Sequence, residues 1–214
     1  MNKKLEKIWR EVPVDYYQKG VAGNILQRLW HKGRLNAVLD FLESQGLEQS
    51  KKKILDVGCA SGWFISEIAN HYPKNNFFGI DVYREAVAYA KIYYPKVYFS
   101  CGDAHHLPFS ENSFDIVICI NVLEHIINPK QILAEIKRVT KPDGKVVIGM
   151  DSENFLFSLV WYLWKKINGR VWRDAHLHKL KPDALENLFL KGGFKIEKRR
   201  FFNLGMAVIF LLTR

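Results

Sequence analysis

A chain of 214 residues with 48% hydrophobic and 25% charged residues has the composition of a folded domain, which excludes disordered and collagen-like classes. The length fits one α/β domain with extensions. Net charge is +10, carried at the two ends: residues 1–53 have 11 Lys/Arg against 6 Asp/Glu, residues 54–151 have 9 against 11, and residues 152–214 have 12 against 5. Basic flanks of this kind draw nucleic acid, anionic membrane or acidic substrate, and equally serve as a solvated surface.

The three cysteines, Cys59, Cys101 and Cys119, lack C-x-x-C spacing and read as free thiols of a reducing compartment. The opening MNKKLEKIWREVPVDYY has no apolar run with a small-residue cleavage site, so the expected location is cytoplasmic. Low-complexity tracts, repeats and Pro/Gly/Ser-rich linkers are absent.

In chain order, residues 24–46 place Ile25, Leu29, Leu35, Val38, Leu39 and Leu42 at helical spacing and end at Gly46. From Lys53 onward short apolar runs alternate with helical patterns. Strands are expected at ILDV (54–57), FFGID (77–81), VYFSC (97–101), DIVICI (115–120) and KVVIGM (145–150). Helices are expected at 62–71, 84–94 and 129–140, the last halted by the turn Lys141-Pro142-Asp143-Gly144. Repeated βαβ units with continuously apolar strands predict a parallel sheet covered on both faces. A helix at 182–191 then leads to FKIEKRRFF and MAVIFLLT, joined by Asn203-Leu204-Gly205, which fits an antiparallel hairpin at the sheet edge. The whole predicts a Rossmann-like, doubly wound, mostly parallel α/β sheet of seven strands behind a helical N-terminal extension.

In such a sheet the ligand lies beyond the carboxyl ends of the strands, where strand order reverses. VGCASG stands there. Gly58 lets the chain turn sharply, and Gly62 lets a ligand approach the backbone at a helix N-terminus, although the pair also suits a plain tight turn. Asp81 ends the second strand 23 residues after Gly58, where a carboxylate accepts both hydroxyls of a ribose, or caps the following helix. Asp103, just past the third strand, is within reach of an adenine edge. A dinucleotide fingerprint fails, because Cys59-Ala60-Ser61 supplies no middle glycine.

The series ILDVGCASGW, FFGIDV, SCGDAHHLPFSENSFDIVICINVLEHI and LAEIKRVTKPDGKVVIGM resembles the class I S-adenosylmethionine-dependent methyltransferases, most of all the small-molecule group with an LPF segment before the fourth strand. The resemblance covers residues 30–214 and implies S-adenosylmethionine as cofactor. It implies contact with the methionine part for Asp56, Gly58, Cys59 and Gly62, the ribose for Asp81 and the adenine for Asp103 and Ala104. Asn121 would lie near the reactive sulfur, and Val82 packs on adenine or belongs to the core. The domains implied are a helical extension (1–50) over the cofactor site and a methyltransferase domain (51–214) with a substrate-covering insertion (152–180).

Methyl transfer from a sulfonium is an in-line displacement, so the protein aligns and desolvates, and a general base is required only for a protonated acceptor. The candidates are His125 and His176, with His178 beside the latter, and structural roles compete for each. No metal site is expected. The amino-methylating Asn/Asp-Pro-Pro-aromatic sequence is absent after the fourth strand, where Asn121-Val122-Leu123-Glu124 stands, and no Pro-Cys follows. RNA methylation is therefore the lesser alternative.

The insertion crowds Phe155, Phe157, Trp161, Tyr162 and Trp164 ahead of Lys165-Lys166, too short a stretch to span a bilayer. It roofs an apolar pocket, dips into a membrane surface through 155–166, or is core or dimer contact. The first two favour a hydrophobic acceptor such as a lipid, quinone or isoprenoid. The stretch with Tyr16, Tyr17, Gln27, His31 and Arg34 is expected to fold over the cofactor mouth. The competing class is a non-catalytic protein that keeps the fold and acts by partner or membrane contact.

Overall fold

The computed structural model describes residues 12–167 and 180–214. Its strands are β1 (Lys53–Val57), β2 (Asn76–Asp81), β3 (Val97–Cys101), β4 (Phe114–Ile120), β5 (Thr140–Asp151), β6 (Lys195–Phe202) and β7 (Ala207–Thr213). They form one sheet in the order β3-β2-β1-β4-β5-β7-β6. β1 to β5 pair in parallel, and β7 runs antiparallel between β5 and β6. The helices are α1 (Tyr16–Gly23), α2 (Ile25–Glu43), α3 (Trp63–His71), α4 (Arg84–Tyr93), α5 (Pro129–Val139), α6 (Phe155–Ile167) and α7 (Pro182–Lys191).

Successive strand side chains point to opposite faces, so the apolar runs build two cores. Ile54, Ile116, Ile118 and Val147 meet Val38 and Leu42 of α2, Ile65 and Ile68 of α3 and Val87 of α4 on one face. Leu55, Val57, Val117 and Val146 meet Ile132 and Ile136 of α5 and Leu185 and Phe189 of α7 on the other. Strand order reverses between β1 and β4, which opens a crevice at their carboxyl ends.

Two boundaries differ from the sequence reading. The helix expected over 24–46 is α2, which ends at Glu43, and a further helix, α1, precedes it; the break between them falls at Asn24, whose side-chain oxygen accepts from the N–H groups of Leu26 and Gln27 and so caps α2. β5 begins at Thr140 rather than Lys145. Phe114 pairs with Thr140 and Ile116 with Lys145, so the expected turn Lys141–Gly144 is a bulge inside the strand pairing.

Candidate active site

The turn after β1 is tied to β2 by its main chain: the N–H groups of Gly58 and Cys59 donate to the Ile80 carbonyl at 2.8 and 3.1 Å. Gly58 has φ +81°, and a Cβ there would collide with the Val122 side chain. Asp81, at the end of β2, accepts from Ala60 N at 2.8 Å through Oδ2 and from Tyr83 N at 2.9 Å through Oδ1. It thus organises two turns and still has lone pairs for a ligand, because a carboxylate offers about four acceptor sites. Burial raises its pKa, and the N–H donors oppose that shift.

These strand ends border a cavity of about 440 Å³, inside the roughly 300–1,000 Å³ range of ligand pockets. Asp56, Gly58, Cys59, Asp81, Val82, Asp103, Ala104, Asn121 and His125 all line it. Asp56, on β1, is buried. Desolvation and the neighbouring Asp81 push its pKa to about 8, so near neutral pH it holds a proton and is poised to ionise against an incoming cation. Asp103 accepts from the His105 N–H at 2.9 Å and lies 2.7 Å from the His105 ring nitrogen. Burial raises its pKa, but these His105 bonds outweigh that and hold it below the ordinary carboxylate value. Asn121 leaves β4 with φ +53°, which Asn tolerates better than most residues, and its N–H is held by the Gly149 carbonyl.

Gly62 is not among the residues that border the cavity; its missing Cβ makes room for Phe99 and Ala90, which a Cβ would approach to 2.6 and 2.9 Å. With φ +81° at the start of α3, it also serves packing and chain reversal. Among nucleophiles, Cys59 and Cys119 are buried and their thiols raised well above the ordinary value, first by desolvation, so both stay protonated. His176 and His178 lie outside the described residues. Among the described residues no group of three or more His, Cys, Asp or Glu could hold a metal ion.

The N-terminal helices close another side. Gln18 donates to Tyr94 Oη at 2.9 Å and to Ser61 Oγ at 3.3 Å, which ties α1 to the β1–α3 turn. Tyr17, His31 and Arg34 line the cavity, with Tyr17 pushed to about 12 mainly by burial. Burial and then Arg34 lower His31 to about 3, so its ring is neutral. Its ring packs edge-on to Tyr17 and Trp63, and its buried Nδ1 has no hydrogen-bond partner. The buried Nε of Arg34 also has none, and its Nη2 lies 4.0 Å from Asp151 Oδ1 at the end of β5. Arg34 is the one Lys or Arg among the described lining residues. No residue of α6 lines the cavity among those described; Phe157 packs instead on Trp30 of α2, ring centroids 6.3 Å apart. Sequence reasoning missed Trp63, His105, His106 and Gln131. Gln131 Nε2 donates to the His105 carbonyl at 3.1 Å, a contact that joins α5 to the loop after β3 and leaves no trace in local pattern.

A parallel sheet with acids at the ends of β1 and β2 and just past β3, gathered on one cavity at the reversal point, defines a Rossmann-like nucleoside-binding class. Residues 55–148 match the family model described as a methyltransferase domain. This stretch, which carries all three acids, matches a methyltransferase domain, and the sheet around it has the Rossmann-like fold of S-adenosylmethionine-dependent methyltransferases. The chain is similar to an uncharacterized protein of Methanocaldococcus jannaschii, 33% identical over 68% of this chain and 65% of that protein. It is also similar to the ubiquinone biosynthesis O-methyltransferase of Rickettsia prowazekii, 25% identical over 95% of this chain and 83% of that one. Among solved structures, a SAM-dependent methyltransferase of Thermotoga maritima, described as a possible histamine N-methyltransferase, superposes with a TM-score of 0.73 at 19% identity, over 98% of this chain and 99% of that chain. The chain spans between 33% and 65% of the length of the first curated relatives it matches.

Proposed function

We propose that the chain transfers a methyl group from S-adenosylmethionine to a small, apolar acceptor. The observation that carries this reading is the convergence of Asp56, Asp81 and Asp103 with Arg34, whose Nε is buried, on one cavity. The donor bears a carboxylate, an ammonium, a ribose and an adenine besides its sulfonium, and the lining has a chemical match for each of these four. Arg34 takes the carboxylate, which fills its open Nε valence. Asp56 ionises against the ammonium. The remaining lone pairs of Asp81 accept the ribose hydroxyls, and Asp103 with Ala104 meets the adenine edge. Tyr17, His31 and Arg34, from α1 and α2, cover the donor and exclude water. Gly62 has no part in this set.

When bound, the donor supplies an electrophilic methyl group on a positive sulfur that departs as a neutral thioether. The protein's part is to hold the acceptor in line and dry, which accounts for most of the rate in such displacements. Trp63, Phe64, Ile120, Val122, Ile126 and Ile127 make much of the lining apolar. Asn121 and His125 bring polar groups to the end of β4, and His125 is 8% exposed. For a hydroxyl acceptor His125 takes the proton released as the methyl arrives. The likeness to an O-methyltransferase of ubiquinone biosynthesis supports a hydroxyl on an apolar ring.

The test is transfer of radiolabelled methyl to lipid, phenolic-quinone and RNA fractions. Label in the apolar fractions, with His125→Gln lowering kcat while S-adenosylhomocysteine affinity holds, is the expected result. Label confined to RNA, or in no fraction, would refute the acceptor class.

A further inference from the structure

Outside the cavity, three elements bring apolar side chains to one surface. At 3.6 residues per turn, Phe155, Leu156, Leu159, Val160, Tyr162 and Leu163 fall on one side of α6, and all six are exposed. Phe157 and Trp161, on the opposite side, stack on each other with centroids 5.7 Å apart, and Phe157 is buried. The helix is therefore apolar both inward and outward, a pattern that ordinarily means burial on all sides. α2 adds Ile25, Leu26 and Leu29 at its exposed start, and the β6–β7 hairpin tip adds Leu204, 86% exposed.

These pieces are fastened to one another. Asn203 Nδ2 donates to the Trp30 carbonyl at 3.0 Å, Asn154 Nδ2 and Ser152 Oγ donate to the Gly205 carbonyl at 2.8 and 2.7 Å, and Trp30 packs on Phe157. The hairpin tip thus bridges the start of α6 and the second turn of α2. A joined apolar surface of this make-up exceeds the scattered exposure normal for a protein surface.

Charge identifies the occupant. α2, α6 and the hairpin all belong to the two basic flanks, whereas residues 54–151 carry slightly more acid than base. Lys166 lies on the exposed side of α6 with its ammonium 4.4 Å from the Tyr162 ring centroid. Lys32 follows Leu29 by three positions on α2, and Lys198 is exposed on β6 six residues before Leu204. We infer that this face docks on an anionic bilayer surface, with the leucines and Phe155 in the acyl boundary and the lysines among the headgroups. No helix among the described residues is long and apolar enough to cross a membrane, so the contact is peripheral. The inference concerns a surface outside the cavity and stands apart from the choice of acceptor.

The test is co-sedimentation of the full chain with phosphatidylglycerol–phosphatidylcholine vesicles and with phosphatidylcholine alone, at low and high salt. Leu159→Ser/Leu163→Ser and Lys32→Glu/Lys166→Glu are run beside the wild type. Wild type should bind the anionic vesicles at least about tenfold more tightly than the neutral ones, and less at high salt. Each double variant should lose at least about tenfold, with thermal midpoint and S-adenosylhomocysteine affinity unchanged, since all four positions lie outside core and cavity. Wild type left in the supernatant with anionic vesicles at low salt overturns the inference. So do variants that bind as wild type does, or a wild-type dimer that the leucine variant splits while vesicles capture neither.

Discussion

The two sides of the cavity are built differently. At the ends of β1 and β2 the polar groups are already engaged: Asp81 holds the N–H groups of Ala60 and Tyr83, and Ile80 holds those of Gly58 and Cys59. On α2 the buried Nδ1 of His31 and Nε of Arg34 have no hydrogen-bond partner. A buried donor left unsatisfied costs about 1–3 kcal/mol. The strand side is thus organised before any ligand arrives, and the helical side carries a cost that a bound anion removes. Loss of the Asp81 carboxylate on the strand side should damage fold and binding together, and changes on the helical side chiefly binding.

Gly62→Val should give the largest effect and the purest loss of fold. A β-branched residue at φ +81° adds backbone strain of about 1–2 kcal/mol, and its Cβ meets Phe99 and Ala90, an overpacking of about 1–3 kcal/mol. Denaturant unfolding should show a loss of about 3 kcal/mol, with no deficit in donor affinity for the fraction that folds. A stable variant that no longer binds S-adenosylhomocysteine would return Gly62 to the site.

Asp81→Ala should cost both quantities. Two main-chain N–H groups lose their acceptor, about 2 kcal/mol of stability, and the ribose bonds go with them. Unfolding and calorimetry on the same sample decide it. Arg34→Met should lower S-adenosylhomocysteine affinity by roughly 10- to 100-fold, the value of a charge-assisted bond, with less loss of thermal midpoint than Asp81→Ala. Equal losses of midpoint in the two variants would erase the contrast between the two sides.

The smallest effect is a pH dependence set by Asp56. Its pKa is raised in the folded state to about 8, so the stability it contributes is present below the unfolded carboxylate value near 4 and lost as pH rises through about 8. A cation bound beside it favours the ionised form. Binding of S-adenosylhomocysteine, through its ammonium, should therefore release protons at neutral pH and tighten as pH rises toward 8. Calorimetry in two buffers of different ionisation enthalpy measures the release, and Asp56→Asn should abolish it.

The strands and the acids at their ends were legible because both depend on local order: β3 and α7 fall where apolar period and turn residues put them, and Asp56, Asp81 and Asp103 are fixed by their distance from those strand ends. What was not legible depends on contacts between distant segments. Gly62 reads as a ligand glycine in the motif, but its role in making room for Phe99 and Ala90 does not, because their approach is set by the packing of α3 against β3 and α4. Gln131 joins the cavity only because α5 crosses beneath the loop after β3. The aromatic insertion showed its apolar character in sequence, but not that its stacked rings face Trp30 while its leucines face outward.

The claim on which everything else rests is that this cavity holds the methyl donor, and titration of S-adenosylhomocysteine into the wild-type chain by calorimetry addresses it most directly. The account predicts saturable one-to-one binding, a raised thermal midpoint, and loss of both responses in Asp81→Ala protein that remains folded. Absence of heat and of any midpoint shift at millimolar ligand, in wild-type protein that unfolds cooperatively, would contradict it.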